Sequence, residues 1–375
     1  LDFLPDPVRT VLAFVVVLGV LVFIHELGHY LAARWRGIHV ERFAVGFGRP
    51  IAAWADRRGT EWRIGWIPLG GYVKLHGQET PADATPEQKA AWRPGETFHD
   101  KPVRDRAIVV AAGPLANFIL AALLFGALFY AVGREVPDPA GVQTRIGMVV
   151  GGGAADGAGL RRGDVIVALD GRSVARFEDI QAHVTPRAGQ AITVTVERDG
   201  RELSVPVTPR AVEANGATVG RLGVQAAPAV RYESVDPFTA LRAGVERTAS
   251  VSWQTLAAVG QMITGSRGTE ELGGPLGIGK IAGDAARLGF DTFIVFMAVL
   301  SVNLALINLF PIPVLDGGHL MFYAAEAIRG RPLPAKAQEI GFRAGFALLI
   351  TLFVFATWND LTNLGVVRWV GGLLG

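Results

Sequence analysis

Phe23-Ile24-His25-Glu26-Leu27-Gly28-His29-Tyr30 is the stretch on which the reading of this chain turns. It spells His-Glu-x-x-His at the end of an apolar run that opens near Val8. Residues four apart share a helix face, so a helix here aims His25 and His29 at one point, with Glu26 beside the first. The pattern suits zinc: two neutral nitrogens, a third ligand from elsewhere, and an open position for a water that Glu26 can touch. Chance supplies such a motif in a chain this long on the order of one time in a hundred. Val11 to Ile24 carries no charge, and helical patterning continues through Leu31-Ala32-Ala33. The ionisable cluster therefore falls at membrane depth, where such groups are costly and usually functional.

Composition agrees. The 375 residues are 50% hydrophobic and only 19% charged, which calls for membrane spans. A net charge of +2, with no interleaving of basic and aromatic residues, excludes a nucleic-acid binder. The absence of cysteine excludes thiol nucleophiles, disulfides and cysteine-ligated zinc. Asp2 and Asp6 flank the opening run against a lone Arg9, the wrong charge for a signal peptide, and cleavage near Ala33 would discard the histidines. A retained span is expected.

Apolar runs at about Val8–Ala33, Ala107–Val132, Phe290–Phe310 and Ile340–Trp358 predict four spans. Arg34, Arg36, Arg57, Arg58, Lys74, Lys101, Arg104 and Arg106 put the first loop on the cytoplasmic side, and Arg329, Arg331 and Lys336 do the same for the last. Both termini then face the side of the soluble domain. In the first loop Trp62, Ile64 and Trp66 alternate with Glu61, Arg63 and Gly65, a strand pattern, and Gly46 to Pro50 and Pro68 to Gly71 supply turns. Such a hairpin either merely packs or offers a sheet edge to an unwound substrate strand. Glu79 to Pro94 reads as a linker. An Asn within a span, as at Asn117, ordinarily glues helices together.

From Gly133 to near Val230 the composition is that of a soluble domain. Gly159-Leu160-Arg161-Arg162-Gly163-Asp164-Val165-Ile166 resembles the signature of a PDZ domain, a fold that binds peptide ends by strand addition. In the permuted bacterial form, that resemblance implies a carboxylate-binding loop at Gly220, Leu222 and Gly223. A domain that only limits access would read the same. Pro237 to Ile263 places Phe238, Leu241, Val245, Ser252, Leu256, Val259 and Ile263 on one face, as a helix on the membrane surface or a plain packing helix would. Gly274 to Lys280 fits Gly-x4-Gly-Lys, but Ile281 stands where a Ser or Thr must hold magnesium. Gly277-Ile278-Gly279 opens a dinucleotide-like pattern with no strand before it. Neither is a nucleotide site.

Asn308-Leu309-Phe310-Pro311-Ile312-Pro313-Val314-Leu315-Asp316-Gly317-Gly318-His319 follows the third span. Two prolines forbid a continuous helix, and irregular backbone at this depth needs protein or a wet cavity around it. Asp316 in that bend can reach an ion held by the histidines; a simple Asp-Gly turn capping the next helix is the plainer alternative. His319 is the rival ligand.

His25-Glu26-x-x-His29 with Asn308-x-x-Pro311-x-Pro313-x-Leu315-Asp316-Gly317 resembles the site-2 protease family of zinc intramembrane proteases. Gly46-Phe47-Gly48, Pro68-Leu69-Gly70-Gly71-Tyr72-Val73 and Gly113-Pro114-x-x-Asn117 are similar to its bacterial regulator-of-sigma-E branch. The resemblance implies that His25, His29 and Asp316 bind one zinc ion and that Glu26 is the base. It also implies a membrane-reentrant β-hairpin that engages substrate through Gly46, Gly48, Trp62, Ile64 and Trp66, with Asn117, Asn308 and Pro311 helping to hold the strand. Substrates would be single-span membrane proteins, such as an anti-sigma factor already clipped on the periplasmic side, in envelope stress signalling at the bacterial inner membrane. The better-known members of this branch carry tandem PDZ domains; this chain has room for one.

The expected fold is an α-helical membrane protein with about four transmembrane helices, a membrane-associated β-hairpin and an inserted PDZ-like α+β domain. Residues 1–36 form the first helix with the motif, 37–106 the cytoplasmic-side loop with the hairpin, 107–133 the second helix, and 134–231 the periplasmic PDZ domain. Residues 232–287 supply an amphipathic interfacial helix and linker, 288–339 the third helix and the proline-rich segment, and 340–375 the fourth helix and tail. An inactive PDZ-bearing scaffold with a structural metal is the alternative, though structural sites close all four positions and leave an adjacent Glu26 without purpose. A metal transporter needs ligands along several spans, and spans two and four offer no His, Asp or Glu before Asp360.

Overall fold

An acid at a helix start and a base at its end are complementary to the helix dipole, and Asp6 and Arg34 stand in the first and last turns of the first apolar segment. Helix α1 spans Asp6–Trp35. It stops at Gly37, whose φ of 70° lets the Ile38 amide return to the Ala33 carbonyl at 2.9 Å. In this computed structural model the described residues are 6–78, 85–138, 143–214, 217–227, 229–268 and 273–363. They divide into two units, Leu1–Ala131 with Val235–Gly375, and Val132–Ser234.

In the first unit α1 leads into strands β1 (Val40–Ala55) and β2 (Glu61–Leu75). The hairpin is folded on itself. Val40 to Val45 pair with Leu75 to Gly71 on one side, while Arg42 to Val45 lie alongside Glu61 to Ile64 on the other. Pro50 to Ala55 pair back onto Gly65 to Glu61. Gly46, Gly48 and Gly70 take φ of 82°, 86° and 77° where the strands bend, which side chains resist. Phe43, Tyr30 and Trp62 form the packed root, with Phe43 and Trp62 ring centres 4.4 Å apart. Ile51, Trp54, Ile64 and Trp66 stand exposed. Helix α2 (Pro86–Ala91) lies inside the expected linker, of which residues 79–84 fall outside the described set.

Helix α3 spans Val103–Val132 and tolerates Pro114 in its interior. It meets α1 at backbone distance, because a methyl group on Gly28 would collide with the Ala112 carbonyl. Small residues are the usual means of such approach between membrane helices.

The second unit follows in chain order as β3 (Arg134–Pro137), β4 (Ile146–Val149), α4 (Ala154–Gly157), β5 (Val165–Leu169), β6 (Arg172–Ser173) and α5 (Phe177–Val184). It continues as β7 (Ile192–Arg198), β8 (Arg201–Val207), β9 (Arg210–Ala214), β10 (Ala217–Arg221), β11 (Val224–Ala226) and β12 (Val230–Glu233). The main sheet runs β6-β5-β7-β8, and β11 pairs with β4. Asp170-Gly171 and Asp199-Gly200 all have positive φ, as two-residue hairpin turns require. Ile166, Leu169, Val194 and Val196 are fully buried with Ile180 of α5 beneath them. This is the PDZ-like domain that the Gly-Leu-x-x-Gly-Asp signature leads one to expect.

The chain returns to the first unit with α6 (Pro237–Ile263), α7 (Pro275–Leu288), α8 (Phe290–Leu309), α9 (Asp316–Arg329) and α10 (Ala335–Asn363). Asp236 caps α6, accepting from the Phe238 and Thr239 amides at 3.0 and 3.1 Å. The face of α6 that packs is its small-residue stripe, Ala240, Ala243, Gly244, Thr248 and Val251, while Phe238, Leu241, Val245, Leu256 and Ile263 stay exposed. Four helices, α1, α3, α8 and α10, are long and apolar enough to cross a membrane. The chain is a multi-pass membrane protein. On α10 the described buried residues are Gly345 and Asp360 alone. Asp360 accepts from the Gly274 and Gly277 amides at 2.8 and 2.9 Å, so the α7 N-terminus holds a carboxylate of its own chain. The tail beyond residue 363 lies outside the described residues.

In the second unit the Asp164 carboxylate is buried and takes two bonds from Arg198, at 2.8 and 2.7 Å, and one from the Arg161 amide at 2.8 Å. Arg198 above all holds its carboxyl below the usual range, against the opposing effect of burial. A depressed acid stabilises the fold fully above its unfolded pKa, near 3.8, and that stability fades as pH falls through the lower folded value. Asp164→Asn is expected to lower the stability of this unit at pH 7 by roughly 1–3 kcal/mol and to flatten its decline below about pH 4. Hydrogen exchange of the Ile166 and Val194 amides in the intact protein measures both.

Candidate metal centre

His25 and His29, one helical turn apart on α1, bring their Nε2 atoms to 3.2 Å. Asp316 Oδ2, from the start of α9, lies 3.1 Å from His25 Nε2 and 3.5 Å from His29 Nε2. Ligand atoms about 2.0–2.1 Å from a tetrahedral zinc stand about 3.3–3.4 Å from one another. The observed separations straddle that edge. Asp316 Oδ2 is buried and makes no hydrogen bond of acceptable geometry, which is costly for a carboxylate oxygen unless a cation completes it. Two imidazoles and a carboxylate, all the ligand atoms within 4.8 Å, thus fit a zinc ion and leave a fourth position open.

The bend that delivers Asp316 is closely folded. Pro311 and Pro313 end α8, and Leu315 and Gly318 donate to the Ile312 and Leu315 carbonyls at 2.9 and 3.0 Å. Val314 has φ of 114°, a strained conformation for a β-branched residue. Such strain persists where the surroundings over-determine it, commonly at active sites. A methyl group on Gly317 would strike the Leu309 and Phe310 carbonyls, and one on Gly345 of α10 would strike the Pro313 carbonyl. Asp316 is therefore both the first residue of α9 and the third member of the cluster.

Helix α3 backs the histidines. The His29 Nδ1 lies 2.9 Å from the Val109 carbonyl, to which an Nδ1–H donates. Asn117, fully buried, has Nδ2 3.3 Å from His25 Nδ1. Between them Gly113 leaves the space for both rings: a methyl there would overlap His29 Nε2 and stand 2.9 Å from His25 Nε2. On the other flank, a methyl on Gly71 of β2 would lie 3.0 Å from Glu26 Cγ, and the Val73 backbone lies close to the Glu26 carboxylate. The hairpin thus runs past Glu26 at contact distance.

The other expected residues fall in different places. His319, the rival ligand, packs its ring near Phe342 and Tyr323, with centroids 5.4 and 6.4 Å away, and is not in the ligand cluster. Asn308 is half-buried in the last turn of α8, and Pro311 is exposed just after it. Trp62 is packed at the hairpin root, donating to Asp56 at 3.1 Å, whereas Ile64 and Trp66 are open. Gly46 and Gly48 form bends, and the Gly48 backbone lies directly under the Trp66 indole. In the second unit Gly220, Leu222 and Gly223 line a groove of about 470 Å³ together with Phe177, Ile180 and Val184 of α5. Sequence reasoning missed Val109, Gly113, Gly71 and Val73 as neighbours of the cluster. The four-residue step from Gly113 to Asn117 was the available signal; backbone contacts at Val109 and Val73 leave none.

A zinc-fitting triad with an adjacent glutamate, inside a bundle of membrane-length helices, defines a membrane-embedded metalloprotease. A family model described as Peptidase family M50 matches residues 13–352. Metalloprotease MmpA of Caulobacter vibrioides is 40% identical over 394 residues, covering 95% of this chain and 96% of its own. Atu1380 of Agrobacterium fabrum, named as a predicted zinc metalloprotease, is 43% identical over 366 residues, covering 94% and 96%. The PDZ domain of an SdrC-like protein from Listeria monocytogenes aligns with 24% of this chain and 92% of its own, at 16% identity and a TM-score of 0.21. The chain belongs to peptidase family M50, the site-2 protease family, and is a zinc metalloprotease that acts within the membrane.

Gly113→Ala places a methyl group among the ligand atoms without touching the rest of α3. It is expected to weaken zinc binding at least about tenfold, as loss of a supporting contact does, with helix content unchanged. Metal quantification and circular dichroism on the purified protein check this.

Proposed function

We propose that His25, His29 and Asp316 hold the zinc ion and that Glu26 is the general base for hydrolysis of a peptide bond in a single-span membrane protein. The observation that carries this reading is the convergence of two Nε2 atoms and a partnerless carboxylate oxygen one residue from Glu26. The ion supplies Lewis acidity, lowering the pKa of water toward about 7 and polarising a carbonyl oxygen. Glu26 takes the proton released by the attacking water and delivers it to the leaving amine. Its contact with the Val73 backbone keeps it aimed while it does so.

A helical substrate hides its carbonyls, so cleavage requires a locally extended strand. The hairpin supports a means of holding one. Among the described residues Gly71 to Leu75 pair on one side only, with Val40 to Val45, and this edge of β2 passes Glu26 at contact distance. Strand addition at such an edge supplies main-chain hydrogen bonds irrespective of sequence. On this reading the bends at Gly46 and Gly48, the packed Trp62 and the exposed Ile64 and Trp66 shape the hairpin behind that edge, and Asn308 and Pro311 would help hold the strand.

The basic residues of the first and last loops favour a cytoplasmic placement for the hairpin and a periplasmic one for the PDZ-like unit, at a bacterial inner membrane. The groove at Gly220, Leu222 and Gly223 is of a size and lining suited to an extended peptide end. A substrate already clipped on the periplasmic side, such as an anti-sigma factor in envelope stress signalling, would present such an end.

Glu26→Gln keeps the size of the side chain but removes its basicity. The variant is expected to retain zinc and to cleave a membrane-span reporter about 10²–10⁴-fold more slowly. Wild-type turnover by the zinc-loaded variant would remove Glu26 from the role of base.

A further inference from the structure

We infer that Asn117 is a positioning residue for His25: its side-chain oxygen accepts a hydrogen bond from the His25 Nδ1–H and thereby fixes Nε2 as the ligand atom. This rests on the reading of His25 and His29 as zinc ligands.

A neutral imidazole carries one proton. When Nε2 gives its lone pair to a metal, that proton resides on Nδ1, which then needs an acceptor. Ligating histidines almost always find one in a carbonyl or carboxylate, and that partner sets both tautomer and ring orientation. His29 has it in the Val109 carbonyl, 2.9 Å from Nδ1. At His25 Nδ1 the neighbouring group is the Asn117 amide, with Nδ2 at 3.3 Å. The two ends of an amide exchange places by a half-turn about the Cβ–Cγ bond. A His25 that ligates through Nε2 selects the orientation that presents oxygen, because two N–H groups cannot share that contact. Asn117 Oδ1 is buried and has no hydrogen-bond partner, so no existing bond to it is lost in the turn.

The surrounding structure is arranged around this contact. Val109, Gly113 and Asn117 lie four residues apart, on one stripe of α3, and supply in turn the partner of His29, room for both rings, and the partner of His25. Ser301 of α8, itself fully buried, donates from Oγ to the Asn117 carbonyl at 2.8 Å and holds α3 at that level. A side chain with no exposed surface and its amide on a histidine is poorly placed to hold a substrate strand, the role that family resemblance implied for it. Its action runs through His25 instead.

The test uses the full-length protein in detergent with Asn117→Leu, Asn117→Asp and His25→Ala. Zinc affinity is read by chelator competition and ligand geometry by the visible spectrum after cobalt(II) substitution. Asn117→Leu, which keeps bulk but has no acceptor, is expected to bind zinc about 10–100-fold more weakly with an altered cobalt spectrum. Asn117→Asp, which restores an acceptor, is expected to return both close to wild type. Wild-type affinity and spectrum in Asn117→Leu would overturn the inference, as would Asn117→Asp binding as weakly as Asn117→Leu. Metal retained by His25→Ala would instead overturn the ligand assignment beneath it. Loss of metal in His25→Ala with wild-type behaviour in Asn117→Leu separates the two failures.

Discussion

Three electron-rich atoms held 3.1–3.5 Å apart at membrane depth are the constraint on which this structure depends. Without a cation their lone pairs oppose one another, and water is scarce there to relieve them. The arrangement persists because separate parts of the chain enforce it. A turn of α1 spaces the histidines. The broken segment after α8 places Asp316 at a helix start. Contacts between backbones, not flexible side chains, set the distances between these parts: Gly28 on α3, and Gly345 on the Pro313 carbonyl. A bundle held by long side chains would accommodate a shift of several tenths of an ångström; one held by glycine against carbonyl has less slack.

The same economy explains how the outer helices are attached. Helix α10 offers little buried surface, yet two of its residues reach inward, Gly345 over the Asp316 bend and Asp360 into the start of α7. Helix α6 packs through alanine and glycine and leaves its large apolar residues outward, where lipid is as good a neighbour as protein. Near the first loop the charges are neutralised in pairs: Arg36 with Asp105, and Arg106 with Glu326 at 2.6 Å. These pairs tie the start of α3 to the end of α1 and to α9, the helices that carry the zinc-fitting atoms.

Much of this was legible in the residue pattern, and the reasons are physical. Span positions follow from uninterrupted apolar runs, because the bilayer imposes a length; α1, α3 and α10 extend past the expected limits by a few mostly polar residues, and α8 ends one residue short, at Leu309. The His25, His29 and Asp316 cluster was legible because ionisable groups in such runs demand a partner. In the residue pattern the hairpin was legible as alternation at Trp62, Ile64 and Trp66 between the turn signals at Gly46 to Pro50 and Pro68 to Gly71. Its folding back so that Val40 to Val45 are flanked on both sides depends on register shifts that no two-residue period encodes. Helices α7 and α9 were not foreseen, since each begins beside a glycine- or proline-rich stretch that reads as a turn. On α6 the small residues Ala240, Ala243 and Gly244 pack, and the large apolar stripe that the sequence shows stays exposed.

Among the described residues, two buried side-chain carboxyl or amide oxygens lack a hydrogen-bond partner: Asp316 Oδ2 and Asn117 Oδ1. They flank one imidazole, the first near His25 Nε2 and the second on the amide that meets His25 Nδ1. Thr60 Oγ1 and the Nε atoms of Arg9, Arg34 and Arg36 are also buried without a partner, but the two oxygens meet at one imidazole. On the proposed assignment, an ion at Nε2 would engage the carboxylate oxygen and leave the ring proton on Nδ1, where the Asn117 amide oxygen would accept it. Elsewhere in the same unit Asp360 has both oxygens met by amides and Glu326 is met by Arg106. Those carboxylates are closed by the protein itself, whereas Asp316 Oδ2 stands open between the two imidazoles that fit a zinc ion.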